Sequence, residues 1–267
     1  MTITVGVTTP DGLVLAAESR TTFAENERHR IVSDSAQKVF QVGHMGVAAS
    51  GDALIGADTV AGTMDRFAAQ LDDKTARDFD RLLDALGRFF DRAFDANMAT
   101  RNETWDPETQ GYPINLLVAG YDDEGVGHLK ELLIPGPKIG DFAADTRTGG
   151  SMWRGQTDVV GRLLNGVDWA HLRTTEELLP PEVTKRLEGL SYDMLPPLTV
   201  EDAVDYATFL IRTTIDMQRF SDGTVASPGL LPACGGPIHV LVIERDSARW
   251  ATPSTREHWS AAPARPW

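Results

Sequence analysis

The chain has 267 residues, of which 42% are hydrophobic, and Lys+Arg 25 against Asp+Glu 39 give a formal net charge of −14. This length and apolar content suit one large domain with a packed core and exclude global disorder. The acidic balance argues against a nucleic-acid or anionic-membrane surface, which needs a basic face, and a single cysteine excludes an internal disulfide framework or a Cys-rich zinc site.

The opening MTITVGVTTPDG has neither a basic n-region nor a long apolar core, so no signal peptide is expected. The apolar runs fall far short of the ~20 residues that span a bilayer. The expectation is a soluble, cytoplasmic protein. Ile3, Val5 and Val7 fall on one face, with Thr2, Thr4 and Thr8 between them, the period of a strand. Pro10-Asp11-Gly12 supplies a turn, and Leu13 to Ala17 return as a second strand. Arg28 to Arg30 read as a charged loop. Val39 to Gln41 and Met45 to Ala49 form a strand pair around Gly43.

Two amphipathic helices follow Gly51. The first, from Ala53 to Leu71, carries Ala57, Val60, Met64, Phe67 and Leu71 on one stripe. The second, from Arg77 to Ala96, carries Phe79, Leu82, Leu83, Leu86, Phe90 and Ala93. Their stripes are wide enough for both a core and a neighbouring subunit. Strands are predicted at Ile114 to Ala119 and His128 to Ile134, further short strands before Gly155, and a helix around Asp158 to Leu164. Thr174 with Glu177 forms a capping-box pattern in a Pro-, Glu- and Leu-rich stretch. Thr199 opens a helix with a stripe of Val200, Ala203, Val204, Ala207, Leu210 and Ile211, and Pro237 to Ile243 form the last strand. The tail over 247–267 lacks periodicity, and its Trp250, Trp259 and Trp267 suggest docking on a surface. The result is one domain over 1–246 with a C-terminal tail. Its order of elements predicts an α+β fold with helices on the faces of a mostly antiparallel sheet pair.

No H-E-x-x-H pair, P-loop, dinucleotide fingerprint, EF-hand loop or G-x-S-x-G elbow is present. No cofactor or metal site is therefore expected. Met1 precedes a small residue, so its removal would leave Thr2 as the mature terminus. A terminal threonine joins a hydroxyl to an α-amine of pKa roughly 7.7–8.0. The neutral amine can take the hydroxyl proton and activate the oxygen as a nucleophile.

Thr2-Ile3-Thr4-Val5-Gly6, Asp11-Gly12, Ala17-Glu18-Ser19-Arg20-Thr21, Lys38-Val39-Phe40 and Ala49-Ser50-Gly51-Asp52-Ala53 occur in that order. This series resembles the opening of proteasome β-type subunits. Among bacterial relatives it is most similar to the ancestral β-subunit type. The resemblance implies an N-terminal nucleophile hydrolase with an αββα four-layer sandwich. It implies Thr2 as nucleophile, Glu18 and Lys38 as the acidic and lysine positions, and Gly51 as the oxyanion-hole glycine, with Arg20 in support. It also implies a first substrate pocket lined by Thr21, Ala36, Ala49 and Ala53, with Thr22 and Gly51 pairing to the substrate backbone. The serine that the family places near the nucleophile corresponds either to Ser151 or to the place taken by Arg154.

These small, uncharged pocket residues point to cleavage after bulky apolar residues. Cys234 reads as a small buried hydrophobe. The functional reading is a threonine-type peptidase acting on peptides or unfolded protein inside a self-compartmentalising homo-oligomer, its unfoldase partner unknown. Two alternatives share the fold: a non-catalytic structural subunit, and an amidase acting on a small amide.

Overall fold

A computed structural model describes residues 2–25, 28–169, 172, 179–192, 199–224, 227–228 and 232–251. Alternating apolar residues build its strands. In chain order these are β1 (Ile3–Thr9), β2 (Gly12–Glu18), β3 (Thr21–Glu25), β4 (Arg28–Ser33), β5 (Val39–Val42), β6 (Met45–Gly51), β7 (Leu54–Ile55), β8 (Asp58–Thr59), β9 (Ile114–Tyr121), β10 (Gly127–Ile134), β11 (Lys138–Asp145), β12 (Gly150–Gly155), β13 (Gly223–Thr224), β14 (Ser227–Pro228), β15 (Ile238–Glu244) and β16 (Ser247–Ala251). The α-helices are α1 (Val60–Ala69), α2 (Phe79–Arg101), α3 (Pro107–Gln110), α4 (Asp158–Asn165), α5 (Pro181–Glu188) and α6 (Val200–Phe220).

Two five-stranded sheets organise these elements, in the orders β12-β1-β2-β15-β16 and β11-β10-β9-β6-β5. Every pairing in both is antiparallel. Along β1 the period-two alternation sends Ile3, Val5 and Val7 outward, where they pack against Val204, Ala207, Leu210 and Ile211 of α6. Leu13, Leu15 and Ala17 of β2 turn the other way and meet Leu117 and Leu129 of the second sheet. That sheet's far face carries Val47, Leu116 and Val118 against Met64, Phe67, Leu82, Leu86 and Phe90 of α1 and α2. The layers are therefore helix, sheet, sheet, helix. Covered on both faces, β1 and β2 are buried at every residue.

The structure departs from the sequence expectations in four places. The first helix begins at Val60 and not at Ala53, because residues 54–59 form the hairpin β7–β8. Thr59 then caps α1, its Oγ1 accepting the Gly62 N–H at 2.9 Å. The second helix starts two residues later than expected, capped by Asp78, and runs five residues longer, to Arg101. Arg28 to Arg30 belong to β4, which pairs with β3 in a hairpin, so the charged stretch is extended and not a loop. The first sheet continues past residue 246: β16 pairs with β15 as an edge strand, and its half-exposed residues carry too weak an alternation to be read from sequence. Thr174 and Glu177 lie outside the described residues, as do Trp259 and Trp267. Trp250 is half exposed and packs edge-on to His239. Among the described residues, no helix is long and apolar enough to cross a membrane.

Candidate active site

Strand pairing assembles the N-terminal cluster. Thr4 sits opposite Ala17, so the start of β1 lies beside the end of β2 and brings Thr2 near Glu18. Lys38 stands immediately before β5 and reaches both. Thr2 is 4% exposed, Glu18 0% and Lys38 8%, so the cluster is almost closed to bulk water. Lys38 Nζ donates to Thr2 Oγ1 at 2.8 Å, to Glu18 Oε1 at 2.5 Å and to the Arg20 carbonyl. The other carboxylate oxygen, Glu18 Oε2, accepts the Arg20 N–H at 2.7 Å and the Gly235 N–H at 3.0 Å. A buried carboxylate with this many donors is held in one orientation. Burial pushes the Lys38 ammonium below its ordinary pKa, against the opposing pull of Glu18.

Around this core, Arg20 is tied to Asp34 by a two-pronged ion pair at 2.6 and 2.9 Å. The hydrogen bond to Asp34 raises the guanidinium pKa, and the same bond lowers that of the Asp34 carboxyl. Arg20 therefore braces the loop after β2. Cys234 is buried in the apolar cluster under α6, and burial raises its thiol pKa.

A groove of about 850 Å³ opens onto the cluster. Thr2, Lys38 and Gly51 line it, as do Thr21, Thr22, Ala36, Ala49 and Ala53. Glu18 lies beneath its floor. The β6 backbone gives Gly51 a specific orientation. Asp52 N–H bonds the Pro113 carbonyl on the β9 side at 2.7 Å, and Ala49 N–H bonds the Lys38 carbonyl on the β5 side at 2.8 Å. Alternation along an antiparallel strand then turns the Gly51 N–H toward the β5 side. Because β5 starts at Val39, opposite Ala48, the Gly51 N–H lies past its end and faces the groove.

The side chains of Ser151 and Arg154 are engaged elsewhere. Ser151 pairs with Val7, and its Oγ lies 3.5 Å from the Tyr206 hydroxyl. Arg154 forms an ion pair with the buried Glu131 at 2.5 Å. From the β12 side Thr2 is met by Gln156, whose N–H donates to the Thr2 carbonyl at 2.7 Å. Gln218 in the last turn of α6 donates to Gln156 Oε1 at 3.3 Å, while its own Oε1 accepts the N–H groups of Ala233 and Cys234 at 2.9 and 2.8 Å. The two backbone donors fix which end of the Gln218 amide is oxygen. Neither glutamine stands out in the sequence; the only local signal was the glycine-rich stretch 149–155 that precedes Gln156. Among the described residues, no group of three His, Cys, Asp or Glu side chains could hold a metal ion.

Residues 2–80 match the family model described as Proteasome subunit. Among solved structures, the chain is similar to a Gly-1 mutant of Anbu from Hyphomicrobium sp. strain MC1, with a TM-score of 0.57 at 15% identity over 97% of this chain and 94% of that one. It is similar to Anbu, the ancestral beta-subunit, from Yersinia bercovieri, with a TM-score of 0.54 at 15% identity over 97% and 93%. No curated protein matches. Together with the layer order, the likeness to these solved structures shows an α+β fold of the N-terminal nucleophile hydrolase kind, and the segment over residues 2–80 is similar to proteasome subunits.

Proposed function

We propose that this protein is a threonine-type peptidase. Removal of Met1 exposes the Thr2 amine, and Thr2 Oγ1 is the nucleophile. The observation that carries the reading is the donor geometry of Lys38. An ammonium has three protons, and its three acceptors are Thr2 Oγ1, the Glu18 carboxylate and the Arg20 carbonyl. Lys38 therefore donates to Oγ1, and the hydroxyl proton of Thr2 must point to a different acceptor. The terminal amine on the same residue is that acceptor. Lys38 also stabilises the developing alkoxide and disfavours protonation of the amine.

Hydrolysis then runs in two steps. Oγ1 attacks the scissile carbonyl while its proton passes to the α-amine, and the oxyanion takes the Gly51 N–H. The amine returns that proton to the leaving nitrogen, the C–N bond breaks, and an ester to Thr2 remains. Water adds to the ester with the amine again accepting its proton, which releases the acid and restores Thr2. A substrate extended along Thr21, Thr22 and Gly51 lies in the groove as an added strand.

The length of the groove supports a peptide over a small amide, and the intact Thr2–Lys38–Glu18 contacts support catalysis over a purely structural subunit. The protein works as a cytoplasmic homo-oligomer that encloses its sites. The test is Thr2→Ala, which is expected to abolish peptide hydrolysis while near-UV circular dichroism and Tm stay those of the parent. Retention of most of the activity would show that Thr2 is not the nucleophile.

A further inference from the structure

We infer that Gln218 is a positioning residue for the reaction, one that fixes the Thr2 main chain and the Glu18 carboxylate relative to each other from the last turn of α6; this rests on the peptidase reading above. The helical period places an amide where an apolar residue is expected. Leu210, Ile211 and Thr214 are buried on the side of α6 that covers the first sheet, and Gln218 follows Thr214 by four residues on the same side. A polar side chain there costs free energy unless its groups are paired. Both ends of the Gln218 amide are paired. Oε1 accepts the N–H groups of Ala233 and Cys234, one for each lone pair. Nε2 donates to Gln156 Oε1 at 3.3 Å, across 62 residues of chain.

Each end of the amide leads to the site. Ala233, Cys234 and Gly235 are consecutive, and the third N–H of this row donates to Glu18 Oε2 at 3.0 Å. The row is held in place. Ser19 N–H donates to the Gly235 carbonyl at 3.1 Å. A Cβ on Gly235 would lie 2.4 Å from Arg20 Cζ, and Arg20 is itself fixed by Asp34. At the other end, Gln156 follows the last residue of β12, and its N–H holds the Thr2 carbonyl at 2.7 Å.

Lys38 joins Thr2 to Glu18 through their side chains, at 2.8 and 2.5 Å. Gln218 joins the same two residues the other way round. The contacts close into a ring through Thr2, Lys38, Glu18, residues 233–235, Gln218 and Gln156. Such a network holds its members more firmly than its separate bonds would. Lys38 fixes Thr2 Oγ1, whereas the place of the α-amine, which takes the hydroxyl proton, depends on the main chain that Gln156 holds. Neither glutamine lines the groove, so substrate binding does not draw on them. Loss of the amide therefore slows the chemical step and leaves substrate binding as it was.

The test uses the full-length protein with Gln218→Met, Gln156→Ala and the double variant, each checked for a Tm near that of the parent. Turnover is read with a blocked fluorogenic peptide, and the nucleophile directly by its reaction rate with a saturating peptide β-lactone. Gln218→Met nearly keeps the side-chain length and loses both ends of the amide. It is expected to lower kcat and the β-lactone rate together by roughly 10- to 100-fold, the scale of a displaced reacting group, with KM within about twofold of the parent. Gln156→Ala keeps the backbone N–H on Thr2 and breaks only the link between the two side chains. In the double variant kcat is expected to fall by less than the product of the two separate losses, because both act in one ring. A folded Gln218→Met with kcat within about twofold of the parent, a loss confined to KM, or losses that multiply in full overturns the assignment of Gln218 alone. Where Gln218→Met fails to fold, Gln156→Ala decides, and an unchanged kcat in it overturns the link. Turnover that persists in Thr2→Ala overturns the peptidase reading beneath both.

Discussion

Lys38 is the residue on which the site turns. Its ammonium is buried, it donates to Thr2 Oγ1, the proposed nucleophile, and burial lowers its pKa below the ordinary 10.5. Two pH effects of opposite sign follow. Activity needs the protonated amine, because a neutral lysine has one proton too few for its three acceptors. Turnover should therefore fall on the alkaline side at a pH below 10.5, and fall on the acid side as the Thr2 α-amine protonates. Stability moves the other way. A folded pKa below the unfolded one means that folding expels a proton, so the Lys38 contribution is present in full above pH 10.5 and lost as pH falls through the folded value. A pH–rate profile checks the first effect: an alkaline limb that appears only above 10.5 would contradict it. Lys38→Met should lower turnover by roughly 100-fold or more, the scale seen when one donor to a developing oxyanion is removed. Unaltered turnover in that variant would leave Lys38 a purely structural cation.

At the scale of elements, the site is a consequence of strand register. Glu18 comes near Thr2, with Lys38 bridging them, because β2 returns antiparallel to β1, and that hairpin is legible in the alternation of Ile3, Val5 and Val7 and in the Pro10-Asp11-Gly12 turn. The layer order was equally legible, since the stripes of α1, α2 and α6 leave each helix one sheet to cover. The sequence did not reveal what closes the site from the β12 side. Strand β12 pairs with β1 across about 150 residues of chain, and nothing local announces that Ile3 meets Gly155. Gln156 and Gln218 went unnoticed for the same reason, because an isolated glutamine gives no signal until register brings it to a partner. The candidate site residues themselves became legible only as an ordered set that matched a known pattern; each alone is an ordinary residue.

Gly155 shows how tightly that register is held. Its φ is +91°, and a Cβ there would lie 1.8 Å from the Thr2 carbonyl oxygen. Gly155→Ala combines backbone strain with a collision against Thr2, the proposed nucleophile. The substitution should cost more than about 1 kcal/mol, which at this size lowers Tm by at least about 2–4 °C, and it should depress activity further than the stability loss explains. An unchanged Tm with full activity would mean that β1 tolerates displacement at its first residue.

For the whole molecule, the open question is how a groove of this size is kept from folded protein. The proposed answer is enclosure by an oligomer. The sequence points to the two helices after Gly51 as contact surfaces, but the large apolar residues of their stripes are taken up by the core of the second sheet. Large exposed apolar residues occur instead on α6, where Phe209, Met217 and Phe220 recur at helical spacing and Phe220 is 80% exposed. Sedimentation velocity should give a species several times 29.1 kDa; a single species at the monomer mass would contradict enclosure. The most direct test of the account is the intact mass of active protein after reaction with a peptide β-lactone. It should show a chain lacking Met1 that carries one inhibitor, with the label on Thr2 and absent from Thr2→Ala. Active protein that retains Met1, or a label that persists in Thr2→Ala, would contradict a terminal threonine as the nucleophile.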